Sequence, residues 1–367
     1  MTWTPLTTWR LTKAWSQACW RAWSRPGPNL PPDCLPSPCS RRAATVSEPQ
    51  PKLGVLLPTR GLLFRLGPPE DAELLFRMAR RAEAAGLDSV WVGDSLTAKP
   101  RLEPFTTLAA VAAQTQRVRL GTAVLLIALR HPVLLAQTLA TVDLISRGRL
   151  VVAAGIGGAF NAAQQQEWCN AGVVPAQRAR RLEEMMQVVK GLGSGRPFTF
   201  HGRHFDLDNV AMEPLPVQPG GVPILLACHG RFRNQRQYRR AARLADGVMS
   251  ISDTPEEYAG MLVQVRGLAE EQGRDPKSLQ SAMYLTVNVD QDIRRAETEA
   301  EAYLMSYYGA NIWGNRWGPF GDAAGVSDRI AEYAAAGAET IIVRFAAQDP
   351  ERQLEIFLER VAPAFLT

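Results

Sequence analysis

The sequence has no run of about 18 uncharged apolar residues, the length a membrane-spanning helix needs. Its longest candidate, Leu120–Leu129, is closed by Arg119 and Arg130, so no spanning helix and no membrane partner is expected. Five cysteines in 367 residues are too few for a disulfide scaffold, and no Cys-x-x-Cys pair occurs. No Gly-x-Ser-x-Gly elbow occurs, which leaves a hydrolase triad without support. Histidine is scarce, with four in the chain. His201 and His204 flank Gly202 but lack a third ligand at a usual spacing, so no metal site is predicted.

The main body also lacks net charge. The chain carries a formal +5, which alone would suggest a nucleic-acid or membrane partner. Residues 1–52 hold Arg10, Lys13, Arg21, Arg25, Arg41, Arg42 and Lys52 against only Asp33 and Glu48. The whole excess lies there, and the remaining 34 basic and 34 acidic residues cancel. The same segment holds five of the nine tryptophans and a Pro-rich stretch at 26–38 that cannot propagate a helix or a sheet ladder. It is expected to be a disordered extension, or to precede a true translation start near Val46, ahead of a basic amphipathic, transit-like element built on Leu11, Trp15, Ala18 and Ala22. It has no continuous apolar stretch of the secretory type, and a cytoplasmic location is expected. No nucleic-acid partner is expected for the body.

From Leu53 onward, short apolar runs alternate with amphipathic stretches. Strands are predicted at Leu53–Leu57, Asp88–Val92, Arg119–Leu125, Leu150–Ala154, Val222–Cys228, Gly247–Ile251, Ala282–Val289 and Thr340–Phe345. Helices follow them, among them Asp71–Ala85, Pro104–Gln114, Pro132–Ser146, Pro255–Gln272, Ile293–Tyr308 and Pro350–Ala364. Residues 155–175 read as a Gly/Gln-rich loop, 198–208 as a small hairpin, and 309–321 as a second loop. Strands that are nearly all apolar suit a sheet covered by helices. Eight βα units predict an α/β fold, a (β/α)8 TIM barrel with insertions occupying residues 53–367. A doubly wound sheet is the structural alternative.

In a barrel, function belongs at the C-terminal strand ends. Gly155-x-Gly157-Gly158 follows a strand but opens no helix, so it is not a dinucleotide fingerprint. It permits close backbone approach by a flat ligand. Cys228-His229-Gly230-Arg231 leads into a helix, where N–H and guanidinium groups suit an anion; a solvated basic helix start is the alternative. Asp94 is read as a ligand contact or a cap, and His131 as a helix-start residue. With few acid–base or metal constellations, the sequence suits an enzyme whose cofactor carries the chemistry.

Several stretches resemble the bacterial luciferase-like superfamily when taken in order. They are Ala82–Asp94, Arg117–Val124, Arg130–Gln137, Thr141–Leu150, His201–Phe205, Pro214–Gln218 and Ala241–Gly247. The resemblance covers the whole body. It implies the barrel, and an oxidoreductase that uses reduced FMN with oxygen as a monooxygenase on a small organic substrate, or coenzyme F-420 as a hydride-transfer enzyme. A non-catalytic flavin-binding relative is a further reading, and a homodimer is implied as possible. By position, Thr122, Ala123 and Val124 would lie under the cofactor ring, with a non-proline cis peptide at Ala123–Val124. Gly157, Gly158 and Asn161 match cofactor contacts, and Ala227, Cys228, His229, Gly230 and Arg231 match a phosphate-side loop. Asp94, His131 and Arg60 are the candidate catalytic groups. Trp313 and Trp317 are candidates for a substrate pocket, with packing as the plainer role. Two departures stand out. Ser95 replaces a histidine found in many members, and Gly158 stands where sugar-phosphate dehydrogenases of this type carry a catalytic glutamate.

Overall fold

The computed structural model describes residues 50–64, 72–309, 312 and 314–366. The expectations for residues 1–49, the start of the first helix at Asp71, and Trp313 fall outside the described residues.

Eight parallel strands close into a barrel. In chain order they are β1 (Lys52–Leu56), β2 (Ser89–Val92), β3 (Arg119–Leu125), β4 (Leu150–Ala154), β7 (Ile224–Ala227), β8 (Gly247–Ile251), β9 (Gln280–Val289) and β11 (Thr340–Phe345). Each pairs with its neighbour, β8 pairs with β9, and β11 returns to β1 with Val55 opposite Val343. The hairpin β5 (Phe198–His201) and β6 (Asp206–Val210) is separate, and β10 (Phe320–Gly321) extends the pairing at the end of β9. The barrel is the predicted fold; a doubly wound sheet would leave two open edges.

Helices cover the barrel. They are α1 (Glu73–Ala84), α2 (Pro104–Gln114), α3 (Pro132–Ser146), α4 (Ala162–Asn170), α5 (Arg178–Leu192), α6 (Gln235–Leu244), α7 (Pro255–Glu270), α8 (Ile293–Tyr308), α9 (Ala323–Ala335) and α10 (Pro350–Arg360). Local signals set several ends. Pro104 opens α2 behind Glu103, whose carboxylate accepts from Thr106 N. Thr254 and Glu257 form a reciprocal capping box on α7. One expectation fails here. Residues 155–175 are not all loop, because Asn161 caps α4 by accepting from Gln164 N. The Gln-rich, weakly amphipathic sequence hid that helix.

The most recognisable motifs turn out to be joints. Asp143, on α3, is buried and accepts from Val217 N, Gln218 N and Gln218 Nε2. Two of the family-like stretches are thus tied by one carboxylate. Glu83 likewise collects the N–H groups of Gln116, Arg117 and Val118 at the entry to β3, which lowers its pKa against the cost of its burial. Inside the barrel, Leu56, Trp91, Val151, Leu225, Met249 and Ile342 pack together. The interior is therefore a filled core, and open space begins above it, at the C-terminal strand ends.

Candidate functional site at the barrel mouth

A cavity of about 230 Å³ opens at that end. Its floor is Leu56, Ala123, Met249 and Tyr284, and its walls include Val124, Gly158, Ala227 and His229. The β2–α2 loop contributes Asp94, Ser95, Ala98, Lys99 and Arg101, α4 contributes Gln164 and Glu167, and α8 contributes Tyr307 and Tyr308.

The β3 wall is shaped by one irregularity. Ala123 pairs with Ala153 and Leu125 with Ala154, so Val124 is an extra residue in the ladder. The Ala123–Val124 peptide is cis, the feature the resemblance implied. Val124 projects across Gly155, where a Cβ would lie 2.8 Å from Val124 Cγ2. Glycine at 155 is what lets the bulged side chain reach the mouth.

Of the candidate catalytic groups, the structure brings only Asp94 to the cavity, and Asp94 is committed. It accepts from Leu126 N (2.9 Å) and from Arg130 Nη1 and Nη2 (2.6 and 3.1 Å), and its side chain is 0% exposed. It fixes the segment after β3. Arg60 lies beside the cavity, not in its wall. Its guanidinium donates to the carbonyls of Pro100 and Tyr307 and stacks 5.0 Å from the Tyr307 ring. His131 is exposed at the N-cap of α3 with its ring edge against Phe205, away from the cavity lining.

The cofactor-contact candidates divide similarly. Ala123, Val124, Gly158, Ala227 and His229 line the cavity. Thr122 does not; its hydroxyl donates to Ala153 O within the sheet, because strand alternation turns it toward the helices. Gly157 supports the wall, with its carbonyl accepting from Arg178 Nε, and Asn161 caps α4. Cys228 belongs to the outer core and is fully buried, which pushes its thiol up to about 12.

In the loop after β7, a carboxylate of the chain itself meets the turn expected to face a phosphate. The N–H groups of Gly230 and Arg231 already donate to the buried Asp253 carboxylate, at 2.6 and 3.3 Å. Ser250 Oγ donates to the same group. The anion that suits this turn is built into the chain. Gly230 is needed for packing, since a Cβ would come within 2.1 Å of the Glu257 carbonyl oxygen. His229 lines the cavity. Its Nδ1 is buried without a hydrogen-bond partner, and burial lowers its pKa against the opposing pull of Asp253.

The residues that sequence reasoning passed over are Glu167, Lys99, Arg101, Tyr307 and Tyr308. Glu167 supplies a carboxylate at the mouth although Gly158 cannot. Its Oε1 accepts from Ser95 Oγ (2.6 Å), Thr97 N (2.8 Å) and Ala98 N (3.1 Å). Ser95 Oγ in turn accepts from Lys99 N. Burial lowers the Lys99 pKa from its ordinary value. Once α4 is known, its pattern points to Glu167: Trp168 is buried and Glu167 shares that face. Trp317 packs on Tyr308, with ring centroids 5.5 Å apart, and does not line the cavity.

A closed parallel barrel with its cavity at the C-terminal strand ends, walled by a bulged third strand, defines an enzyme of the barrel class. The chain belongs to the luciferase-like monooxygenase family, whose sequence profile matches residues 52–353. It is an oxidoreductase. It is 34% identical over 245 residues, 63% of this chain and 67% of the relative, to an F-420-dependent glucose-6-phosphate dehydrogenase of Nakamurella multipartita. It is 32% identical over 225 residues, 56% of this chain and 74% of the relative, to an uncharacterized protein of Mycobacterium tuberculosis. In fold it is similar to a monooxygenase from Streptomyces bottropensis, with TM-score 0.71 and 24% identity over 86% of this chain and 99% of that one. An F-420-dependent secondary alcohol dehydrogenase gives TM-score 0.69 and 22% identity at the same coverage. No helix among the described residues is long and apolar enough to cross a membrane.

Proposed function

We propose that this oxidoreductase binds the deazaflavin coenzyme F-420 at the barrel mouth and uses it on a small organic substrate. The observation that carries the reading is the cavity itself. A bulged strand, a glycine wall at Gly158 and the His229 side chain line one space, with Glu167 beside them. A side chain at 158 would fill that space, since a Cβ there would already lie 2.7 Å from Gln164 Nε2. These features suit a flat, polar-edged ring system. The choice of deazaflavin rests on relatives of stated activity at 30% identity or more, which are F-420-dependent.

When bound, F-420 supplies a hydride donor and acceptor. The chain's own residues orient the two reactants and move a proton. Ala123, Val124, Ala227 and His229 would hold the ring system, and Glu167, which holds the β2–α2 loop through Oε1, would be the carboxylate available to exchange a proton with substrate. The backbone N–H groups of Gly230 and Arg231 are already taken by Asp253.

The second reading is reduced FMN with oxygen. The family's name and the monooxygenase of like fold favour it. Titrating the purified protein with reduced F-420 and with reduced FMN, each followed on an oxygen electrode, separates the two. The proposal expects F-420 binding without oxygen uptake. Tight FMN binding with uptake would replace it with the monooxygenase, and binding of neither would end both readings.

A homodimer belongs to the same proposal. Leu134 at the start of α3 and Leu144 and Ile145 at its end are 64%, 50% and 47% exposed, apolar side chains that a second copy would cover. Light scattering at twice 40.3 kDa is the expected result; a monomer at micromolar concentration would refute it.

A further inference from the structure

The mouth cavity contains cations that have no counter-ion among the described residues. Lys99 lines it, with Nζ 4.7 Å from the centroid of the Tyr308 ring. Arg101 lines it as well, its Nε donating to the Lys99 carbonyl at 3.2 Å. Neither has a carboxylate within ion-pair distance among the described residues. Burial lowers the Lys99 pKa most, Tyr307 opposes that, and the neighbouring cations Arg101, Arg60 and Arg344 lower it further. Arg344 is buried behind the wall, with its guanidinium on the rings of Tyr284, Tyr307, Tyr308 and Trp317 and donating to Tyr308 Oη and Thr286 Oγ1.

The acids of the same cavity do not neutralise this cluster. Asp94 is locked on Arg130, and Glu167 Oε1 is filled by Ser95, Thr97 and Ala98. The face of a tyrosine ring offsets part of the lost hydration of an ammonium, and a buried cation next to like charges still gains from an anion. The cluster is also held in place. Lys99 follows the loop that Glu167 and Ser95 pin, so its position is set before any ligand arrives.

We propose that Lys99 and Arg101 bind an oxyanion, a carboxylate or phosphate carried by the organic substrate, with Tyr307 and Tyr308 walling that end of the cavity. The inference rests on the reading of this cavity as shared by cofactor and substrate. It commits to the substrate as the source of the anion, and the cofactor's own phosphate is the rival source. The ring-contact residues Ala123, Val124, Ala227 and His229 come from β3 and β7, whereas Lys99, Arg101 and the tyrosines come from the β2–α2 loop and α8.

The chain has only five lysines, at 13, 52, 99, 190 and 277, so labelling can be read residue by residue. Pyridoxal phosphate followed by borohydride labels amines at oxyanion sites, and peptide mapping reports each lysine. The proposal expects Lys99 to be labelled, with inorganic phosphate and benzoate each slowing labelling about tenfold at a concentration of about ten times its Kd. Arg101→Gln should remove most of that protection. Lys99→Met should leave the Kd for F-420 and FMN within twofold, while Lys99→Arg keeps the perturbation of bound cofactor absorbance by benzoate. A melting temperature for each variant shows that it is folded.

Absence of protection in protein that binds F-420 or FMN overturns the proposal. So does a tenfold loss of FMN affinity in Lys99→Met with riboflavin affinity unchanged, which would give the pair to the cofactor's phosphate. Protection in protein that binds neither cofactor supports the oxyanion site while ending the cofactor reading, so the two fail separately.

Discussion

Replacing Asp94 by alanine distinguishes a structural carboxylate from a reacting one. The side chain is 0% exposed and takes two bonds from Arg130 and one from Leu126 N. Alanine removes all three and leaves Arg130, 15% exposed, with only Glu103 at 3.3 Å. Breaking a buried ion pair from one side costs about 3–5 kcal/mol. The surviving contact to Glu103, itself 45% exposed, places the loss near the lower end, about 3 kcal/mol. At roughly 1.5 °C per kcal/mol for a barrel of about 315 residues, the melting temperature should fall by about 4–5 °C. Asn keeps the shape and one acceptor, so Asp94→Asn should lose about half as much. Thermal melts followed by circular dichroism read both variants, and turnover is then measured well below each melting point. The reasoning is refuted if Asp94→Asn melts within about 0.5 °C of the parent yet loses turnover by about 100-fold or more, the signature of a lost acid or base.

Other consequences follow from the same geometry. Gly155→Ala places a Cβ 2.8 Å from Val124 Cγ2; it should weaken cofactor binding about tenfold, a shift of 1.4 kcal/mol, and unchanged affinity would show that the Val124 bulge is not a contact. Burial pushes the Cys228 thiol up to about 12, so at pH 8 the native protein should protect Cys228 from iodoacetamide while exposed Cys169 reacts; mass spectrometry of the two peptides checks this. The His229 pKa is lowered by burial, so the unfolded chain binds the extra proton first. Stability from this group is present above the ordinary value of 6.5 and declines as pH falls from there toward the lowered folded value. His229→Asn should flatten that part of a urea-midpoint profile, and an unchanged slope would contradict the assignment.

The barrel was readable because its strands are short apolar runs separated by well-capped helices. Arg119–Leu125, Pro132–Ser146 and Leu150–Ala154 fall where periodicity and the Pro and Gly signals put them. The site was readable only in part. Val124 and Gly158 carry backbone signals, a bulge and a missing side chain, that a family-like pattern exposes. Asp94, Thr122 and Gly230 misled because a residue type says nothing about which partner reaches it first. Arg130 takes Asp94, Ala153 takes Thr122, and Asp253 takes the Gly230 N–H. Glu167 and Lys99 escaped notice for the opposite reason. Each sits in a stretch without periodicity, and only the closure of α4 over the β2–α2 loop brings them to one cavity.

The proposed function places the cofactor ring in the mouth cavity against Ala123 and Val124. Fluorescence titration of F-420 with the parent protein and with Val124→Trp tests it most directly. The account predicts saturable binding by the parent at micromolar concentration or below, about −8 kcal/mol, and loss of at least about 100-fold when tryptophan fills the wall, with the melting temperature retained. Equal affinity in the two proteins would contradict it.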